Sequence, residues 1–246
     1  MAAVGIIPAR WAASRFPGKP LTPIAGRPMI AHVVDGARSA RSLSKVFVAT
    51  DDERIAAACR DFGASCLMTS PAHPTGSDRL AEAARSLPSD VDIVVNIQGD
   101  EPLIAGGVID AAVAALRGAP ELSMSSVVHA ADANAADDPN RVKVVLDRED
   151  NALYFSRAAI PAHREGAPEP ARWQHVGLYA YRREFLETYV KLPPTPAERS
   201  EALEQLRALE HGYAIRCAVI DGWRSVPVDT PEDVARVEAA LAERRG

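Results

Sequence analysis

Arg10, Arg15 and Lys19 place three fixed cations on one short stretch, Pro8-Ala9-Arg10-Trp11-Ala12-Ala13-Ser14-Arg15-Phe16-Pro17-Gly18-Lys19-Pro20-Leu21, directly after the apolar run Val4-Gly5-Ile6-Ile7. Cations gathered against their own repulsion call for an anion. Arginine supplies a planar fork and lysine a point charge, while Gly18 and the small Ala12 and Ala13 let backbone N–H groups come close to a ligand. A polyphosphate suits that set; a solvated basic loop is the alternative on these residues alone. Two common phosphate devices are excluded by spacing. A Walker A loop needs Gly-Lys followed by Ser or Thr with a second Gly five positions earlier, and here Pro20 follows Lys19 and Ala13 stands at the earlier place. A dinucleotide fingerprint needs closely spaced glycines after the first strand, and none follow Ile7.

Carboxylates supply the complementary charge. Asp100 follows the apolar run Ile93-Val94-Val95-Asn96-Ile97 after Gln98 and Gly99, so it stands at the end of a strand. A hard cation such as Mg2+ is bound through one or two carboxylates plus substrate phosphates, and Asp100 suits that role as well as it suits an ordinary turn. Asp229, just before Thr230-Pro231-Glu232-Asp233, is either a second ligand or a turn residue. Arg79 follows Thr75-Gly76-Ser77-Asp78; Ser77 or Asp78 is suited to cap a helix there, and Gly76 permits close approach of the backbone to a ligand.

These groups need a scaffold that brings them to one edge. Apolar runs predict strands at Val4–Pro8, Lys45–Thr50 and Asp92–Gln98, alternating with amphipathic helices at Met29–Ser39, Asp52–Phe62 and Ser77–Leu87. Such alternation predicts an α/β fold with a mostly parallel central sheet flanked by helices. Farther along, the pattern predicts a helix to about Leu116, strands at Leu122–Val128, Val142–Leu146 and Val176–Tyr181, and a loop over Ala131–Arg141. A helix over Ala197–His211, a strand at Ile215–Ile220 and a helix from Pro231 with Thr230 as its N-cap complete the reading. In open α/β sheets ligands bind beyond the carboxyl ends of strands, where Pro8, Thr50, Gln98 and Asp229 are expected to fall.

The segments Pro8–Arg10, Ser14–Leu21 and Gln98–Pro102, with Asn140–Val145, Ala152–Pro161, His175–Tyr181, Leu203–Arg207 and Val228–Asp233, resemble the CMP-sugar synthetases over nearly the whole chain. They are most similar to the branch that activates 3-deoxy-manno-octulosonate (Kdo). The resemblance implies a Rossmann-like domain spanning 1–246, with a smaller β appendage at about 140–181 that serves dimerisation and sugar binding. It implies CTP and Kdo as substrates, CMP-Kdo for lipopolysaccharide as product, Mg2+ as cofactor and a homodimer as the assembly. By the same resemblance Lys19, Asp100 and Asp229 are catalytic, the two aspartates holding Mg2+. Pro8, Ala9, Arg10, Arg15, Lys19, Gly76, Ser77 and Arg79 bind the nucleotide, with Arg79 on cytosine. Gln98, Arg157, His175, Tyr179, Glu204 and Gln205 form the sugar side, although His175 also suits a structural role and Glu204 and Gln205 a wet helix face. The loop departs from the family pattern at Ala13, where Ser is usual, and at Trp11, where Tyr is usual.

Within the same chemistry, a sialic acid or 8-amino-Kdo is the rival sugar. A non-catalytic nucleotide-binding protein of the same fold is a rival from another class, against which both aspartates argue. A nicotinamide oxidoreductase is disfavoured by the missing glycine fingerprint. Composition narrows the field further. Across 246 residues, 28 Lys plus Arg against 33 Asp plus Glu leave a net charge of -5, which speaks against a nucleic-acid surface. With neither a basic leader nor eighteen consecutive apolar residues, the chain reads as cytoplasmic and not membrane-inserted. Cys59, Cys66 and Cys217 lack zinc spacing, and His32, His73, His129, His163 and His211 show no metal-ligand pattern.

Overall fold

The computed structural model describes residues 2–12, 16–132 and 135–243. Its elements are β1 (Ala2–Ala9), a short 3-10 helix (Lys19–Leu21), β2 (Pro23–Ile24), β3 (Arg27–Pro28), α1 (Met29–Arg38), β4 (Leu43–Thr50), α2 (Glu53–Asp61), β5 (Ser65–Met68), α3 (Gly76–Arg85), β6 (Val91–Asn96) and α4 (Gly106–Arg117). There follow β7 (Met124–Ala130), β8 (Lys143–Leu146), β9 (Ala152–Ser156), β10 (Trp173–Arg182), α5 (Arg183–Tyr189), α6 (Pro196–Glu201), α7 (Leu206–Glu210), β11 (Ile215–Ile220) and α8 (Asp233–Glu243). The described residues divide into two compact units, 1–110 with 225–246, and 111–224.

In the first unit the alternation of the sequence becomes a parallel sheet in the order β6-β1-β4-β5. Ile6, Ile7, Val48, Ile93, Val94 and Val95 are buried in it, as expected of strands covered on both faces. Chain order reverses at β1: β4 and β5 lie to one side, β6 to the other. That reversal makes a crevice at the carboxyl ends of β1 and β6, the ligand position of doubly wound sheets. Below it, α8 brings Val237 against Ile24, Met29, Leu103 and Val228, with Phe16, Val226 and Val234 at the margin. The last helix thereby fixes the segment that carries Asp229.

In the second unit β7 is central, with β11 parallel on one side and β10 antiparallel on the other. β10 pairs with β8, and β8 with β9, both antiparallel, so the strands of the 140–181 region form an antiparallel set, and the segment 157–172 between β9 and β10 holds no strand. Among the described residues no helix is long and apolar enough to cross a membrane.

Several sequence expectations need correction. The helix expected over 197–211 is two helices, α6 and α7, because Ala202 adopts a left-handed conformation at φ 51 that ends the first. The final helix begins at Asp233, with Pro231 and Glu232 in a preceding turn. Thr230 does not cap it; the Asp233 carboxylate reaches back to the N–H groups of Asp229 (2.8 Å) and Thr230 (2.9 Å). β5 and β9 are strands that the pattern did not predict. β5 is short, and β9 carries exposed Leu153 and Tyr154 that blur its alternation.

Candidate active site

The site begins where β1 runs out. Pro8 and Ala9 close β1 at its carboxyl edge and Arg10 lies just beyond it; the chain returns at Gly18, whose N–H donates to the Trp11 carbonyl at 3.0 Å. Gly18 has φ +73, and a Cβ there would lie 3.0 Å from the Trp11 ring, so both conformation and space require glycine. The turn sets the following 3-10 helix so that Lys19 Nζ reaches Asp100 Oδ2 at 2.9 Å and Asp229 Oδ1 at 3.5 Å.

Gly99 lets the exit of β6 cross the end of β1, for a Cβ on it would stand 3.1 Å from the Pro8 carbonyl oxygen. Asp100 is thereby held at the crevice. Its own carbonyl accepts from the Val228 N–H at 2.9 Å, tying the two aspartate segments together. Asp229 does not follow a strand, contrary to the sequence expectation; 223–229 carries no helix or strand, and the segment is tied by the Asp233 carboxylate on the Asp229 N–H and by the Val228 N–H on Asp100.

Glu101 had no role in the sequence reading. Only 6% of it is exposed, and burial pushes its carboxyl up to about 8, with the charges of Asp100 and Asp229 adding to the rise. Ser225 donates a hydrogen bond to Glu101 Oε1. Through that bond Glu101 braces 225–229 against 98–101. The sequence signal was its place inside Gly99-Asp100-Glu101-Pro102; nothing local announced its burial.

Pro8, Ala9, Arg10, Lys19, Gln98, Asp100 and Asp229 line one cavity of about 510 Å³, together with Ala12, Phe16, Pro20, Met29 and Gly99. Seven predicted site residues thus meet, Gln98 from the sugar set among them. Arg15 lies outside the described residues. The α3 set stands close by: a Cβ on Gly76 would touch Pro8 Cβ at 4.0 Å. Thr75, rather than Ser77 or Asp78, caps α3, and Asp78 completes the capping box. Ser77 is buried. Arg79 is not the solvated residue usual at a helix start; it is 2% exposed, paired with Asp51 Oδ1 at 3.2 Å and hydrogen-bonded to Thr69 Oγ1. Asp51 and Thr69 immediately follow β4 and β5, so Arg79 is anchored at the same sheet edge.

The remaining sugar-set residues belong to the second unit. Arg157 directs its guanidinium to carbonyls, donating to Glu201 (2.7 Å), Pro139 (3.0 Å) and Ala202 (3.3 Å). His175 is buried between Phe155 and Tyr179, with ring centroids 5.0 and 5.3 Å away, and pairs with Ser126 Oγ at 2.9 Å. Burial pushes its pKa down to about 3, and pushes that of the Tyr179 phenol up. Glu204 and Gln205 occupy the break between α6 and α7 instead of a wet helix face; Gln205 is buried, and the Glu204 carbonyl accepts from Tyr189 Oη at 2.7 Å.

Residues 4–215 match the cytidylyltransferase family. The 3-deoxy-manno-octulosonate cytidylyltransferase of Anaeromyxobacter sp. (strain K) is 52% identical over 237 residues, 96% of this chain and 96% of that protein. The protein of the same name from Myxococcus xanthus (strain DK1622) is 49% identical over 99% of this chain and 98% of its own length. A solved structure of CMP:2-keto-3-deoxy-manno-octonic acid synthetase complexed with CTP aligns at a TM-score of 0.93 and 40% identity, over 99% of this chain and 100% of that one.

Proposed function

The chain belongs to the cytidylyltransferase family, and from that premise we propose that it joins CTP to Kdo, releasing pyrophosphate and giving CMP-Kdo for lipopolysaccharide synthesis. The observation that carries the reading is the convergence of Asp100 and Asp229 on one ammonium, Lys19 Nζ, inside a cavity that Arg10 also lines. Cations and carboxylates at a sheet edge, with no nucleophile–base pair among the described residues that line the cavity, suit in-line attack of the Kdo anomeric hydroxyl on the α-phosphorus. Arg10 and Lys19 offset the charge of the triphosphate and of the departing pyrophosphate.

Asp100 and Asp229 fit Mg2+: both are hard oxygen donors, and their oxygens already share a cation at 2.9 and 3.5 Å. When bound, the ion supplies Lewis-acid polarisation of the phosphates. Glu101, held by Ser225, keeps the two aspartate segments in register. The same reading makes the protein a cytoplasmic homodimer joined through 140–181, and exposed Leu153 and Tyr154 on β9 support that.

The test is pyrophosphate release from CTP and Mg2+ with either Kdo or a sialic acid. Release with Kdo is expected, and Asp100→Asn should lower kcat by roughly 100-fold or more while leaving the fold intact. Release with the sialic acid alone would reassign the sugar, and no release with any sugar acid would overturn the reading.

A further inference from the structure

Trp11 is gripped by groups that the reaction does not use. The Arg54 guanidinium carbon lies 3.5 Å from the centre of its ring, and the six-membered edge of the same indole rests against Gly18. Arg54 is itself fixed. Its Nε and Nη2 donate to the two carboxylate oxygens of Asp52 at 2.9 and 2.6 Å, a bidentate fork that sets the plane of the guanidinium. Asp52 is the N-cap of α2, accepting from the Arg54 N–H at 2.9 Å, so the fork is referred to a helix end. The connection runs onward through Gly18, whose N–H holds the Trp11 carbonyl at 3.0 Å, to the adjacent Lys19 and its two aspartates. Arg10, which directly precedes Trp11 in sequence, lines the cavity.

We propose that Arg54 is a positioning residue for CTP: by stacking on Trp11 it fixes the backbone that carries Arg10 and Lys19, and so prepares the triphosphate site before the nucleotide arrives. The proposal rests on the CTP reading of this cavity. Holding two like charges on one cavity opposes binding; a clasp formed on folding removes part of that cost from the binding step. Tryptophan is the strongest cation platform among the aromatic side chains. Its presence where the resembled family commonly has tyrosine gives this chain a particular use for an arginine at position 54.

The experiment compares wild type with Arg54→Met, Arg54→Lys, Trp11→Leu and the double variant Trp11→Leu/Arg54→Met, by steady-state kinetics and by calorimetric titration with CTP. Arg54→Met should raise the KM for CTP roughly three- to fivefold, with kcat, the KM for Kdo and the melting temperature nearly unchanged. Arg54→Lys should fall between the two, since it keeps a cation on the ring without the fork. The double variant should be no worse than the worse single variant, because one residue acts through the other. An unchanged KM for CTP in Arg54→Met overturns the proposal, and so do multiplicative effects in the double variant, which would make Arg54 a direct phosphate contact. If wild type makes no CMP-sugar, the cytidylyl-transfer function fails by itself, and the CTP dissociation constants decide the clasp: weaker binding in Arg54→Met supports it. Equal constants, or no CTP binding by wild type, overturn it.

Discussion

Lys19 is only 14% exposed at its side chain and touches both aspartates, so one ammonium defines the charge geometry of the site before any ligand enters. Glu101, a neighbour of Asp100 in sequence, is buried instead, and burial pushes its carboxyl up to about 8. His175 is the corresponding case in the second unit. Ser126 Oγ donates to the Leu178 carbonyl at 2.7 Å, so it accepts from the His175 Nε2–H. The His175 pKa of about 3 in the fold lies below the ordinary histidine value of 6.5. As pH falls, the unfolded chain takes up the proton first. The stability this residue contributes is therefore complete above about pH 6.5 and is lost progressively toward pH 3, by up to about 1.4 kcal/mol per pH unit. Urea unfolding of wild type and His175→Gln should show the gap between them shrinking as pH is lowered from about 7 to about 4.5. A gap independent of pH would mean that His175 titrates normally in the folded protein.

The elements position the site through a reversal of strand order, and at Gly99 the exit of β6 passes close over the end of β1. An added Cβ would meet a backbone carbonyl at 3.1 Å, which cannot swing aside as a side chain can. Gly99→Ala should shift the exit of β6 by a few tenths of an ångström, carrying Asp100 with it. A fall of roughly tenfold in kcat/KM is expected, with a loss of about 2–4 °C in melting temperature. Unchanged kinetics in the Gly99→Ala variant would show that the crossing tolerates the methyl group. Strands β1, β4 and β6 and helices α1 to α3 were legible because their apolar periodicity is strong, and Lys19, Asp100 and Arg10 were legible because unusual charge follows those strands directly. Asp229 was legible as a residue but not as a position, since its placement comes from α8 packing on Met29 and Leu103, distant in sequence. The break at Ala202 escaped notice because alanine is a strong helix former, and the left-handed turn there is imposed by its surroundings. The burial of Gln205, Glu101 and Arg79 is likewise tertiary, and no local pattern encodes it.

At the scale of the whole molecule, the question is what covers β9. It pairs with β8 and, among the described residues, with no other strand, while Leu153 is 60% and Tyr154 37% exposed. Successive residues of a strand point to opposite faces, so apolar surface is open on both sides of a strand whose second edge meets β11 at its start, through Asn151 and Arg216, and pairs with no further strand among the described residues. Proteins avoid leaving such edges bare because they invite pairing. A second copy of the chain would cover this one in a closed, self-limiting way. Light scattering at about 10 µM should then give roughly twice the 26.3 kDa of the chain. Leu153→Glu should lower that mass toward the monomer, because a carboxylate buried in the contact would lack a partner. A wild-type mass of one chain would refute the dimer, and a Leu153→Glu protein that keeps the doubled mass would move the contact away from β9.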